Sequence, residues 1–398
     1  MSVPFALAHV SDLHVSKFGD TFHDRSHLVK RSARLADTSP SRWEVAWQEA
    51  GWRVLREAGG GRRTKVQLVD PDGYAHPVPS ARGARDGSDA VERAAAKACR
   101  LEARRAVSLG AARPTDGALA VLEQGTPENS NVRLLRASRA VEADEVDAVV
   151  ITGDLTDDGE GYELVEAAFA RWKQKGRLFA VPGNHDLYLF PISGSTRPRP
   201  TAESKRAAWR AFAGRLGLEL DECGAWCVEL PEASAVLVGL DSCASPQRRF
   251  FRHNGRIGEA QLAYVKKVAE TRAWKLAQHR IVALHHHVVP LPHGVGRGAP
   301  SEIGMRLDDA RTVAEVFDEV GATLVMHGHR HVSEERQPAG SNFRILASPS
   351  LTLGCRSGDV PSFWRVELGD HAYAKRVRIP VAPIEQTGDP GAETAAVE

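Results

Sequence analysis

"DAVVITGDLTDDG", residues 147–159, sets the uncharged run Ala148–Thr152 directly before a glycine and a cluster of acids. A short, β-branched run without internal charge reads as a strand covered on both faces. The Gly-Asp pair after it reads as a turn, so Asp154 and Asp157 fall at the carboxyl end of that strand. The stretch that follows, "YELVEAAFARWKQKG" (162–176), repeats Leu164, Ala168 and Trp172 at i, i+4 and i+8 and stops at Gly176. That spacing makes one apolar helix face, closed by a glycine. Strand, acidic turn and amphipathic helix together form a βα unit.

The unit recurs outward in both directions. "FALAHV" (5–10), "RLFAV" (177–181), "SAVLVGL" (234–240), "RIVAL" (280–284), "ATLVMH" (322–327) and "FRILAS" (343–348) are further strand-like runs. "GEAQLAYVKKVAE" (258–270) and "DDARTVAEVFDEVG" (308–321) are further helical stretches between them. Strands alternating with helices give an α/β layered domain.

Five of these runs end in residues that bind metals or move protons. They are "SDLH" with Asp12 and His14, "GDLTD" with Asp154 and Asp157, and "GNHD" with Asn184, His185 and Asp186. The others are "HHH" with His285, His286 and His287, and "GHRH" with His329 and His331. Sites in open α/β sheets form at the carboxyl ends of strands, so residues distant in sequence converge there. The convergent set holds carboxylates, one amide oxygen and several imidazoles, which is more than one tetrahedral ion needs. It suits two ions sharing a carboxylate. Nitrogen and oxygen donors without a thiolate favour Mn, Fe or Zn over Ca. Two such ions clamp the attacking and leaving oxygens of an in-line displacement at phosphorus, and lower the pKa of bound water toward about 7.

Composition excludes little. With 42% hydrophobic and 26% charged residues, the chain of 398 can bury a sizeable core. Its net charge of +1 singles out no class of partner. The cysteines number five, an odd count with no CxxC, which points to reduced thiols. The first residues lack a basic signal-peptide region, and no apolar run approaches the roughly 18 residues of a membrane span. A cytoplasmic protein without membrane contact is the expectation.

Residues 21–128 break the rhythm. Within them, 25–113 holds 18 Lys and Arg against 10 Asp and Glu, a net of +8. "SRWEVAWQEAGWRVLREAGGG" (41–61) begins with a capping box from Ser41 to Glu44 and lines up Trp43, Trp47, Ala50 and Val54 as one helical face. "KVQLVDPDGYAHPV" (65–78) reads as a hairpin about Asp-Pro-Asp-Gly, and "DAVERAAAKACRLEARRAVSLG" (89–110) as a second helix. The segment reads as an inserted α+β subdomain. It separates 1–20 from 129–380, which together form the main domain, and 381–398 reads as a disordered tail.

The ordered series DxH, GDxxD, GNHD, strand-end His and GHxH resembles the calcineurin-like metallophosphoesterase superfamily. "VLVGLDSC…NGRIGEAQLAYV" and "ILASPSLT" are similar to its bacterial class III cyclic-nucleotide phosphodiesterase branch. The resemblance covers 1–20 and about 129–380 and leaves out the insertion. It implies a four-layer αββα sandwich of two mixed sheets flanked by helices. It also implies roles. Asp12, His14 and His331 would bind one metal, Asn184, His285 and His329 the other, and Asp154 would bridge them. His185 would face the scissile phosphate, stabilising charge or protonating the leaving oxygen, with Asp157 orienting it. His286 is expected to turn away or line the rim, since neighbours near a strand end alternate faces. This chain has His287-Val288-Val289-Pro290 where relatives often place a proline earlier.

Lesser candidates remain. His253 in "RHNGR" lies where relatives carry a His-Gly pair that can reach substrate, and a structural role is equally open. Asp186 suits the turn better than a metal. Arg297 and Arg306 suit solvent better than phosphate, and His9, His23 and His27 have no evident partner. The leading expectation is a binuclear metal-dependent phosphodiesterase acting on a small phosphoester, with a 3',5'-cyclic nucleotide as one such substrate. A phosphomonoesterase or nucleotide pyrophosphohydrolase is the alternative. A nuclease comes next, because the basic insertion leaves nucleic acid open as a partner. A non-catalytic scaffold comes last, and oligomeric state is not legible.

Overall fold

The computed structural model describes residues 4–15, 130–189, 200–243, 253–290, 305–353 and 361–379, together with the backbone of three strands between 53 and 77. The strands in chain order are β1 (Phe5–Val10), β2 (Arg53–Ala58), β3 (Thr64–Val69), β4 (Ala75–Pro77), β5 (Ala148–Thr152), β6 (Leu178–Val181) and β7 (Trp226–Leu230). They continue with β8 (Ala235–Gly239), β9 (His279–Ala283), β10 (Leu324–His327), β11 (Glu334–Arg336), β12 (Arg344–Ala347), β13 (Ser362–Leu368) and β14 (Ala372–Arg378). The helices are α1 (Ser130–Ala143), α2 (Tyr162–Ala168), α3 (Ala170–Gln174), α4 (Asn184–Leu187), α5 (Ala202–Arg215), α6 (Glu259–Ala269), α7 (Arg272–Leu276) and α8 (Ala310–Glu319).

Two mixed sheets carry the main body. One runs β14-β13-β1-β5-β6, with β1, β5 and β6 parallel. The other runs β11-β12-β10-β9-β8-β7, with its four inner strands parallel and both edges antiparallel. Period-two alternation on the second sheet divides its side chains between two layers. Leu237, Ile281, Ala283, Leu324 and Met326 join the core shared with the first sheet. Val236, Val238, Val282 and Val325 point the other way, onto Val265 of α6, Trp274 of α7 and Val313 and Phe317 of α8. Leu134 of α1, Leu164 of α2 and Trp172 of α3 belong to the core of the first sheet. Two mixed sheets flanked by helices are the result, in line with the expected fold class.

Buried indoles fasten the layers. Trp226 on β7 donates from Nε1 to the Ala180 carbonyl on β6 at 2.9 Å, and Trp364 on β13 donates to Ala347 on β12 at 2.9 Å. Each bond crosses from one sheet to the other and satisfies a donor that would be costly to bury alone.

All seven strand-like runs are strands. The helical stretch 162–176 is divided at Phe169, whose φ of −112° leaves helical geometry before α3 resumes. β7, β11, β13, β14, α1, α4, α5 and α7 are further elements beyond those expected. "SFWRVEL" buries Trp364, Val366 and Leu368 with the charged Arg365 and Glu367 between them, so it does not stand out beside the continuous apolar runs. The helix drawn through Val54 is corrected: Arg53–Ala58 is a strand paired antiparallel with Thr64–Val69. The ladder satisfies the backbone groups that a helix would have paired locally. Thr64–Val69 and Ala75–Pro77 pair antiparallel, as the hairpin reading required. The remainder of the helical reading at 41–52, the helix at 89–110 and the tail at 381–398 lie outside the described residues. Among the described residues no helix is long and apolar enough to cross a membrane.

Candidate metal centre

The loops leaving β1 and β5 zip together before any side chain is considered. Asp12 N–H donates to Gly153 O at 3.0 Å, His14 N–H to Asp154 O at 2.9 Å, and Asp157 N–H to Val15 O at 2.8 Å. Such tight exits require unusual backbone. Asp12, His14, Asp154, His329 and His331 all have positive φ, at 54°, 47°, 50°, 71° and 49°. Only Glu145 and Ser234 share this property among the described non-glycine residues. Left-handed conformations at non-glycine positions cost energy and cluster at functional sites. Glycine permits the close approaches. A Cβ on Gly183 would lie 2.1 Å from Asp154 Oδ1, and one on Gly328 would lie 2.5 Å from Asp12 Oδ2.

On this frame the side chains converge. His331 Nε2 lies 3.2 Å from Asp12 Oδ1 and 3.1 Å from His14 Nε2. His285 Nε2 lies 3.0 Å from Asn184 Oδ1 and 3.2 Å from His329 Nδ1. Asp154 Oδ2 reaches both groups, 3.8 Å from His14 Nε2 and 3.4 Å from His285 Nε2. All seven residues are buried.

The donor chemistry fits cations. His285 Nδ1 sits 2.8 Å from the Thr152 carbonyl, which only accepts, so Nδ1 carries the proton. In the neutral ring the Nε2 lone pair then faces Asn184 Oδ1 and Asp154 Oδ2, acceptor toward acceptor. Asp12 Oδ1 is buried without a hydrogen bond. Burial works against charge on His285, yet Asp154 and Asp12 raise its pKa to about 9. Burial would likewise raise the Asp12 pKa, but His331 and His285 bring it down to about 2. Asp154 is held well below the usual carboxylate range against its burial, chiefly by His285 and His185. The protein surrounds buried carboxylates with groups that favour positive charge between them. Asp12, His14 and His331 could hold one ion and Asn184, His285 and His329 a second, with Asp154 reaching both.

His185 stands beside this cluster. Its Nδ1 lies 2.8 Å from Asp157 Oδ1, and its ring is edge-on to His14 at 4.8 Å between centroids. The same Asp157 oxygen lies 3.3 Å from His14 Nδ1, so one carboxylate orients both a candidate ligand and the candidate proton carrier. His185 is fixed through its backbone as well, its N–H donating to Asp154 Oδ1 at 2.8 Å. Asp186 holds the turn: its carboxylate accepts from the N–H groups of Gly183, Leu155 and Thr156 at 2.9–3.1 Å.

Some positions were not legible. Lys205 is buried, and its Nζ donates to the carbonyls of His185 and Tyr188 at 2.7 Å each, closing α4. Within "AESKRAAW" it looks like any exposed helix lysine. His286 is buried, its ring directed to Ser242 Oγ and the His253 carbonyl. His253 reaches the site, with Nδ1 3.3 Å from Asn184 Nδ2. His9 does have a partner, Thr152 Oγ1 at 2.9 Å. Arg306 is exposed beside Asp308. Arg297, His23 and His27 lie outside the described residues.

No curated protein matches the chain. A dimetal phosphatase from Danio rerio is 12% identical, with 95% of this chain and 100% of that one covered and a TM-score of 0.48. A purple acid phosphatase from yellow lupin (Lupinus luteus) is 11% identical, with 62% of this chain covered and a TM-score of 0.41. The chain spans 47% of the lupin protein's length. A phosphopantetheinyl hydrolase from Mycobacterium tuberculosis is 12% identical, with 52% of this chain and 79% of that one covered and a TM-score of 0.29. The calcineurin-like phosphoesterase family model matches residues 126–333, more than half of the sequence and every motif but the first. The chain belongs to the calcineurin-like phosphoesterase family and is a hydrolase with candidate binuclear metal-binding residues.

Proposed function

We propose that this protein is a metal-dependent phosphodiesterase of small phosphoesters, with 3',5'-cyclic nucleotides among its substrates. The observation that carries the proposal is the placement of Asp154 Oδ2 within 3.8 Å of His14 Nε2 and 3.4 Å of His285 Nε2. One carboxylate oxygen between two donor groups suits a pair of ions. Two ions held there supply Lewis acidity toward phosphoryl oxygens and acidify water. The nitrogen and oxygen donors suit Mn, Fe or Zn.

The chain's own residues do the rest. His185 delivers a proton from Nε2 to the leaving oxygen, while the Asp157 carboxylate, 2.8 Å from Nδ1, favours the protonated ring and keeps it in that orientation. Burial of the cluster excludes bulk water and strengthens each electrostatic contact. The preference for a diester rests on the segment around Leu240-Asp241-Ser242, similar to the cyclic-nucleotide branch of the family. Free thiols at Cys223, Cys227 and Cys243 support a reducing, cytoplasmic setting.

The test is a rate comparison on protein loaded with Mn, Fe, Co or Zn. Bis(4-nitrophenyl) phosphate and 3',5'-cyclic AMP are expected to turn over faster than 4-nitrophenyl phosphate. Faster monoester hydrolysis with every metal would make the protein a phosphomonoesterase, and no turnover with any metal would defeat the proposal.

A further inference from the structure

The second histidine of the triplet is built into the site differently from the first. His286 Nδ1 lies 2.8 Å from Ser242 Oγ, and the same oxygen accepts the His286 backbone N–H at 3.1 Å. The hydroxyl oxygen can accept from the backbone N–H and still donate its hydrogen to Nδ1, so the tautomer is decided at the other ring nitrogen. His286 Nε2 lies 2.8 Å from the His253 carbonyl, an acceptor only. In the neutral ring the proton therefore sits on Nε2, leaving Nδ1 to accept from the Ser242 hydroxyl, and the residue is fully buried.

The segment that His286 grips is clamped from several sides. Tyr188, at the end of α4, donates its hydroxyl to Asn254 O at 2.8 Å, and Arg256 N–H donates to Ser242 O at 2.8 Å. The imidazole is pressed against this backbone: a Cβ on Gly255 would lie 2.4 Å from His286 Nδ1. The segment thereby carries the His253 ring to the Asn184 amide, Nδ1 to Nδ2 at 3.3 Å. An amide has one face that accepts and one that donates. With His253 Nδ1 accepting from Nδ2, Oδ1 is left facing His285 Nε2 at 3.0 Å.

We infer that His286 is a positioning residue: through His253 it holds the Asn184 amide with its oxygen toward the candidate metal position shared with His285 and His329. The inference rests on the binuclear centre of the proposed function but not on its substrate. Groups that orient a metal ligand from outside change affinity by roughly 10- to 100-fold when removed. The effect would be confined to the ion that Asn184 would help hold.

The test is a calorimetric Mn(II) titration of the full chain, in the wild type and four variants. His286→Ala is expected to weaken one Mn(II) site about tenfold and leave the other at its wild-type affinity, and His286→Gln, which keeps an N–H for the His253 carbonyl, to restore that site to within about threefold. His253→Ala is expected to weaken the same site, and the double variant to be no weaker than His253→Ala alone. If His286→Ala does not fold, His253→Ala still decides: unchanged affinity at both sites overturns the inference. Equal weakening of both sites, or full additivity in the double variant, also overturns it. A wild type that binds two Mn(II) ions but hydrolyses no phosphoester defeats the proposed function alone, and the titrations then decide this inference separately.

Discussion

Asp154 Oδ2 lies 3.4 Å from His285 Nε2, joining the loop after β5 to the end of β9 in the other sheet. The contact spans the two sheets where their parallel strands end. Asp154→Asn keeps the shape and removes the charge shared between the two donor groups. The expected outcome is Mn content falling below two ions per chain, and kcat/KM on a diester falling by on the order of 10³. Metal analysis and steady-state kinetics on one preparation check both.

His285 and His286 separate by role. His285→Ala removes a donor that faces Asn184 and Asp154, and one ion should be lost from isolated protein, with activity falling by on the order of 10² to 10³. His286→Ala should retain both ions at saturating Mn, and most of its activity there. Equal losses in metal content at saturation would contradict the assignment of His285 as the residue that faces the site.

His185→Ala should leave metal content at wild-type levels and lower kcat by roughly 10² to 10⁴, the range for a positioned proton donor. Asp157→Asn acts on two rings, since its Oδ1 lies near both His185 Nδ1 and His14 Nδ1. It should lower kcat and also weaken one metal site. Its kcat effect should largely vanish in the His185→Ala background, whereas its metal effect should persist.

Gly328→Ala tests the close packing of the last motif. The added methyl would fall 1.7 Å from Ser11 Oγ and 2.5 Å from Asp12 Oδ2. Asp12 Oδ2 is already committed to the His329 N–H at 3.0 Å, so the carboxylate cannot yield without loosening that loop. Destabilisation of roughly 1–3 kcal/mol is expected, read from the denaturation midpoint, together with reduced metal content.

His9 makes the fold acid-sensitive. Burial lowers its pKa from the ordinary 6.5 to about 3, with Asp12 opposing. Above 6.5 the ring is neutral in both folded and unfolded chains and contributes no pH dependence. Between 6.5 and 3 the unfolded chain takes up a proton that the folded chain refuses, so stability falls by about 1.4 kcal/mol per pH unit from this residue. His9→Gln, which can keep the contact to Thr152 Oγ1, should flatten the stability profile between pH 6.5 and 4.5 by about that slope. Denaturant titrations at several pH values measure it. A variant profile parallel to the wild type would contradict the buried neutral state of His9.

The sequence by itself determined the seven central strands and which residue types stand at their ends. A buried parallel strand must be a continuous apolar run, and the residues after it must form a turn, so both leave local marks. Asp12, His14, Asp154, Asn184, His285, His329 and His331 were all legible in this way, because each follows such a run. Tertiary structure decided what has no local mark. Asp157 serves two histidines because the loops after β1 and β5 zip together. His286 grips His253 because the ends of β8 and β9 bring Ser242 beside it. Lys205 is buried because the carbonyls of α4 lie above α5. In β2 the ladder with β3 prevailed over helical spacing at Val54. Periodicity reports which face of an element is covered. The partner of a buried polar atom is set by which loops meet, and that is fixed only when the two sheets pack.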